Sequence, residues 1–209
     1  MTAAILRAAI LAVSLTACTG SLFQSKSAPP TIYTLAPAAA PAAPQPQVPA
    51  DLAILKPRMP TGLEMDRIAV LYPDRHLDYF ADARWSGPLN EVLQDFTVQE
   101  FRLHANLRSV SGDTSVFASP YWLEIEFSDF QAEYTPAAAA PAVHVRLLAR
   151  LGRSGDRRVL GQFEANERRP AAQNRLASIV DAYAQAADAA LGEIVAAAGT
   201  MLATTSEPR

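Results

Sequence analysis

The sequence predicts an α+β domain with a mainly antiparallel sheet and two helices packed on one face of that sheet. Two long segments carry apolar residues at helical spacing, and three consecutive segments late in the chain alternate apolar and polar residues. With 209 residues, half of them apolar, the chain is long enough for one domain of ordinary size plus appendages.

The first half of the domain reads as short strands followed by a helix. Residues 52–55 and 67–72 are aliphatic runs typical of buried strands, and residues 77–81 add a brief third strand. Ser86 is a suitable N-cap for a helix over residues 88–107. One face of this helix carries a stripe of apolar side chains: Leu89, Val92, Leu93, Phe96, Leu103 and Leu107.

The second half predicts three antiparallel strands and a long closing helix. The strands cover residues 121–134, 143–151 and 159–167, each with one apolar and one polar face. A phase change at Ser128 and Asp129 predicts a bulge, and the acidic face of the first strand should lie beside the arginines of the second. The helix begins after Pro170 and covers the sheet.

The first seventeen residues read as a bacterial export signal, too short in its apolar part to stay in a bilayer. They end in Leu15-Thr16-Ala17-Cys18, which resembles the lipobox of bacterial lipoproteins. That resemblance implies cleavage before Cys18, diacylglycerol on its sulfur and an acyl chain on the new amino terminus. The alternative is an ordinary signal with a chance cysteine. Since the residue after Cys18 is not Asp, the outer membrane is favoured over the inner membrane.

Residues 18–50 are expected to form a tether and a Pro/Ala-rich linker in front of a domain at 51–204. Residues 19–30 reach at most about 40 Å when extended. Residues 31–35 have the pattern of a short strand, although the whole segment 19–50 could equally be one disordered tether.

Several functional classes are excluded by composition. A net charge of −3 without a basic run argues against nucleic-acid binding, and one cysteine excludes a disulfide framework. Asp74, His76 and Asp78 lie close together, but a polar turn explains them better than a metal site. Because the sequence shows no catalytic triad and no phosphate loop, we expect no enzyme, no metal and no cofactor beyond the lipid on Cys18.

Three aromatic residues are candidates for partner docking. Alternation places Trp122 on a charged strand face, where an exposed indole suits an interface, although a covering loop would serve equally well. Tyr79 and Trp85 flank the start of the first helix, and for them core packing is the stronger alternative.

Four segments together resemble the ABC-type transport auxiliary lipoprotein family, which includes the paraquat-inducible C-like lipoproteins. They are residues 32–35, 62–70, 77–81 and 83–85, combined with the lipobox and the Ala-rich closing helix. The resemblance implies a membrane-anchored periplasmic partner of a transporter with mammalian-cell-entry (MCE) domains, an ABC permease and an ATPase. Such systems move phospholipid or other hydrophobic molecules across the cell envelope.

Two functional hypotheses follow, with a third behind them. In the first, the chain is a tether and docking partner in such a transport system. In the second, it holds a lipid or hydrophobic ligand itself, which requires a sizeable apolar pocket with an entrance. The third is a structural envelope lipoprotein unrelated to transport. The oligomeric state stays open, a homo-oligomer included.

Overall fold

The computed structural model describes residues 29–38, 47–112 and 119–206. The signal and Cys18 lie outside these ranges. In chain order, the described elements are β1 (Thr31–Tyr33), β2 (Val48–Ile54), β3 (Arg67–Leu71), β4 (Leu77–Trp85), α1 (Leu89–His104), β5 (Leu107–Gly112), β6 (Tyr121–Glu133), β7 (Ala142–Arg153), β8 (Val159–Pro170) and α2 (Leu176–Thr205).

The eight strands form one mixed sheet, so the expectation of a mainly antiparallel sheet is wrong. The meander β6–β7–β8 and the hairpin β3–β4 are antiparallel, as expected. The pairs β1–β4, β2–β5, β2–β6 and β3–β6 are parallel. Alternation within a strand reports which face is buried but carries no information about strand direction, which explains the error.

Strand β6 joins the two halves of the sheet. One of its edges pairs with β7 along its whole length. Its other edge is shared: β2 pairs with its beginning, Leu52 opposite Tyr121, and β3 with its end, Val70 opposite Ala132. The register shift between Phe127 and Asp129 confirms the predicted bulge.

Both helices cover one face of the sheet and form the core with it. Helix α2 packs on β7 and β8, whereas α1 packs on β5 and against α2. By length and composition alone α2 could cross a membrane. Its apolar side is occupied in this fold, however, because Ile179, Tyr183, Leu191 and Ile194 are buried against the sheet.

The start of the domain differs from the prediction. The sheet includes β1, as the strand pattern at residues 31–35 predicts, whereas β2 begins at Val48, before the expected boundary at residue 51. Leu35 and Ala50 are buried as well. The predicted linker therefore contributes core residues on both sides of the undescribed residues 39–46.

The ends of α1 also differ. Pro88 occupies the N-cap without a side-chain hydrogen bond, so the prediction for Ser86 is wrong. At the other end Asn106 adopts a positive φ of 45°, a conformation that asparagine tolerates and that ends a helix. Leu107 consequently begins β5, a strand that the sequence pattern did not reveal.

Candidate docking surface

Trp85 lies in the core. Only 1% of its surface is exposed, and its ring meets Tyr183 and Phe130 edge-on at centroid distances of 5.3 and 6.3 Å. Its indole N–H has no hydrogen-bond partner among the described residues. Trp85 offers no surface to a partner, and core packing, the alternative left open for it, describes its position.

Tyr79 is half-buried and fastens the loop before β3 to β4. Its hydroxyl donates to the Gly62 carbonyl at 2.8 Å, and the Arg67 guanidinium lies 4.1 Å from the centre of its ring. Both contacts are internal to the domain, so Tyr79 has a structural role that needs no partner.

Trp122 lies on the sheet face that the helices leave uncovered. It is opposite Gly152 in the β6–β7 register, and its indole ring occupies the space beside that glycine. A Cβ built on Gly152 would come within 2.1 Å of the Trp122 ring. Because Gly152 has no side chain, the indole of Trp122 fits beside it and is half-buried on this face.

Charged side chains surround Trp122 on this face. Glu124 contacts both Arg58, at 3.0 Å, and Arg150, at 3.3 Å, so the predicted pairing of acidic and arginine faces is confirmed. We call the exposed face of β6, β7 and β8 the open sheet face; its main side chains are Arg58, Trp122, Glu124, Glu126, Arg146 and Arg150. Alternating charges of this kind favour a partner of complementary pattern.

A second polar cluster lies further along the same face, around His144. The histidine Nδ1 lies 2.9 Å from Glu133, and its Nε2 lies 2.8 Å from Asn166. Arg168 also bonds Glu133, and Arg146 bonds Asp129 at 2.7 Å. Burial acts to raise the pKa of both carboxyls, but Gln131, His144 and Arg146 lower that of Asp129, and hydrogen bonds from Arg168, His144 and Gln131 lower that of Glu133.

The cluster contains oxygen and nitrogen atoms that could bind a cation, but nearby arginines already balance the negative charge of its carboxylates. Ligand atoms of Asp129, Glu133 and His144 all lie within 4.8 Å of one another. Two guanidinium groups, however, already neutralise the two carboxylates. A metal would have to displace them, so this arrangement is a self-sufficient ion-pair network.

A buried glutamate beside a half-buried aspartate at the helix interface was missed by sequence reasoning. Glu100 on α1 is 1% exposed, and burial together with Asp188 on α2 raises its pKa to about 8. Asp188 also accepts the backbone N–H of Ala38 at 2.9 Å. The pair therefore joins both helices to the segment that follows β1. The only signal in the sequence was an acidic residue close to an apolar helical stripe.

The surface depressions on the described residues are open to solvent. One of about 480 Å³ is lined by Arg58, Glu126 and Phe127 among others, and one of about 500 Å³ lies beside Tyr72 and His76. The most apolar of those found measures about 200 Å³ and lies where Ala36 and Ala38 cross α2. These solvent-open depressions do not resemble the enclosed apolar pocket that a lipid needs.

The described chain is thus an α+β domain with one helix-covered sheet face and one charged open face. The model of the family described as the ABC-type transport auxiliary lipoprotein component matches residues 33–195. The chain belongs to this family, whose members are lipoproteins of transport systems and not enzymes. Among curated proteins, no relative of matching sequence was found.

Solved structures share the fold. A protein of Xanthomonas campestris described under the family model DUF330 is 26% identical, with a TM-score of 0.74 over 85% of this chain and 100% of that one. A hypothetical protein of Chlamydia trachomatis is 10% identical, with a TM-score of 0.53 over 75% of this chain and 99% of that one. The second likeness extends to the fold alone.

Proposed function

We propose that the chain is a lipid-anchored periplasmic component of an ABC transport system with an MCE-domain partner. In this role it tethers and docks the transporter while phospholipid or other hydrophobic molecules cross the envelope. The observation that carries the proposal is the family match over residues 33–195. Acylated Cys18 is its anchor, in the outer membrane.

The open sheet face is the proposed docking surface. It combines a half-buried indole with exposed charges, including Arg146, whose side chain is 55% exposed. Aromatic anchors surrounded by charged groups are typical of protein interfaces. The alternative, a carrier that holds lipid itself, has less support because the depressions found are open to solvent and not enclosed.

In-cell photo-cross-linking tests the proposal. A photoreactive residue at Arg146 probes the open sheet face, and a second at Asp181, exposed on α2, is the matched control. We expect an MCE-domain protein to be cross-linked from Arg146 but not from Asp181, and its permease or ATPase to co-purify. Recovery of the lipoprotein alone, or with lipid only, would contradict the proposal.

A further inference from the structure

Three connections meet at one end of the sheet, which we call the tyrosine end. Leu71 at the end of β3 is opposite Glu133 at the end of β6, and Ala142 at the start of β7 is opposite Pro170 at the end of β8. The turn at 72–76, the loop at 134–141 and the segment 171–175 therefore lie side by side.

Tyr134 ties these three connections together. Its ring stacks on that of Tyr72 at a centroid distance of 5.5 Å and an angle of 7°. Its hydroxyl donates to the Asn174 side chain at 2.6 Å. Tyr72 stacks in turn with His76 at 5.8 Å. Side-chain contacts therefore join the three connections of the tyrosine end into one continuous surface.

The loop at 134–141 gives this end an exposed, uncharged surface, whereas the turn at 72–76 and the segment 171–175 expose polar groups: Asp74, Arg75, His76, Gln173, Asn174 and Arg175. Residues 134–141 read Tyr-Thr-Pro-Ala-Ala-Ala-Ala-Pro without a charge, and 135–139 are exposed. Tyr72 and Leu77 are also 38% and 37% exposed. At the opposite end of β7 the turn 154–158 reads Ser-Gly-Asp-Arg-Arg. The two loops of the meander therefore differ sharply in polarity.

The amino-terminal end of β1 points toward the tyrosine end. Strand β1 is parallel to β4, and β4 starts at that end. Ile32 is opposite Arg84, which is opposite Arg67, four residues before Leu71. Four residues of a strand span about 13 Å, so Ile32 lies about that far from the tyrosine end. Residues 19–30 can span up to about 40 Å, which is more than enough to cover it.

We propose that the tyrosine end rests on the lipid bilayer in which Cys18 is anchored. Tyrosine rings suit the boundary between headgroups and acyl chains, and an uncharged Ala/Pro loop enters that boundary at little desolvation cost. The inference rests on the acyl anchor of the proposed function but not on the transporter.

Charge plays a minor part in this contact. Asp74 accepts the backbone N–H of His76, and Asp78 accepts that of Tyr79, so both carboxylates serve the local turn. Arg75 and Arg175 are exposed cations of this end, and Asp74 and Asp78 balance their charge. Because this end has no excess of positive charge, the contact should form on zwitterionic lipid and should persist at high salt.

Quenching by spin-labelled lipid in vesicles measures this orientation. The full acylated chain carries a fluorophore at Ala138→Cys or, as matched control, at Gly155→Cys; acylation blocks Cys18 from labelling. The vesicles contain phosphatidylcholine, phosphatidylethanolamine and a headgroup-nitroxide lipid, with no other protein. We expect several-fold stronger quenching at position 138 than at 155, unchanged by salt. The substitution Ala137→Asp should reduce the quenching at position 138.

Equal quenching at the two positions, or stronger quenching at 155, would overturn the proposal. Mass measurement of the chain comes first, since a chain without acyl groups would refute the anchor and this orientation together. The transporter is absent from the vesicles, so failure here leaves the docking proposal intact. Loss of the MCE cross-link in cells would likewise leave the orientation intact.

Discussion

The hydroxyl of Tyr183 on α2 accepts the backbone N–H of Ala132 at 2.7 Å and donates to the Ala69 carbonyl at 2.5 Å. Ala69 and Ala132 belong to β3 and β6, so a side chain completes the pairing of these strands just before their backbone register begins. Tyr183 is fully buried, and burial raises the pKa of its hydroxyl, which stays protonated as the bond to Ala69 requires.

Replacing this hydroxyl should weaken the fold. Tyr183→Phe leaves a buried N–H and a buried carbonyl without partners, which costs about 1–3 kcal/mol of unfolding free energy. Chemical denaturation measures the loss. Tyr79→Phe is the matched control: its hydroxyl bond to Gly62 is only part-buried, so water can replace it and the loss should be smaller. Equal losses would contradict this interpretation.

The Glu100–Asp188 pair should make stability depend on pH. Burial raises the pKa of Glu100 from 4.5 to about 8, so the folded chain keeps a proton that the unfolded chain releases. The contribution of Glu100 to the unfolding free energy is therefore fully present below pH 4.5 and is lost as pH rises through about 8. Thermal unfolding across this range measures the dependence.

Glu100→Gln preserves the shape of the protonated side chain and should flatten this fall. The variant keeps His104, whose Nε2 lies 3.6 Å from Oε2 of Glu100 in the wild-type chain. Glu193→Gln, exposed on α2, is the control and should keep the wild-type dependence. An unchanged slope in Glu100→Gln would show that another group is responsible.

Gly152 should be intolerant of any side chain. A Cβ there would lie within 2.1 Å of the Trp122 ring, so Gly152→Ala must displace the indole. Overpacking of this kind costs about 1–3 kcal/mol, and the tryptophan emission should shift to the red. Gly155→Ala, with nothing within 4 Å of the new Cβ, should change neither quantity. Wild-type emission in Gly152→Ala would contradict the placement of Trp122.

Asp51 should titrate in strong acid. Hydrogen bonds from Arg108 and Ser109 lower its pKa from 3.8 to about 2. Its contribution to stability is present above 3.8 and is lost as pH falls toward about 2. Arg108→Gln should raise the pKa of Asp51, as followed by carboxyl-carbon NMR. Arg146→Gln, which affects a different carboxylate, should leave it unchanged.

The meander was the most predictable part of the fold because its information is local. Alternation in β6 and β7 fixed which side chains face the core, and the phase change located the bulge. By contrast, the pairing of Val48 with Leu107 joins residues far apart in sequence, and no local pattern encodes it. The parallel pairing of β2, the existence of β5 and the early start of the domain could therefore not be predicted from local pattern.

The candidate docking surface was likewise only partly predictable from the sequence. Alternation correctly placed Trp122 on the polar face, but its depth depends on Gly152 in the neighbouring strand, which only the register reveals. Phe101 and Leu103 show the same limit on α1: the first is buried and the second exposed, opposite to the expected stripe. Contact of α1 with α2 as well as with the sheet shifts its buried face.

The shared edge of β6 determines the order in which parts of the sheet can form during folding. The strands that flank this edge, β2 and β3, are made long before Tyr121, so a chain emerging from its amino terminus presents them without the strand that unites them. The hairpin β3–β4 can form early, but the sheet cannot close until β6 has appeared. Such non-local pairing slows folding, and the amino-terminal half stays an incomplete sheet until β6 has been made.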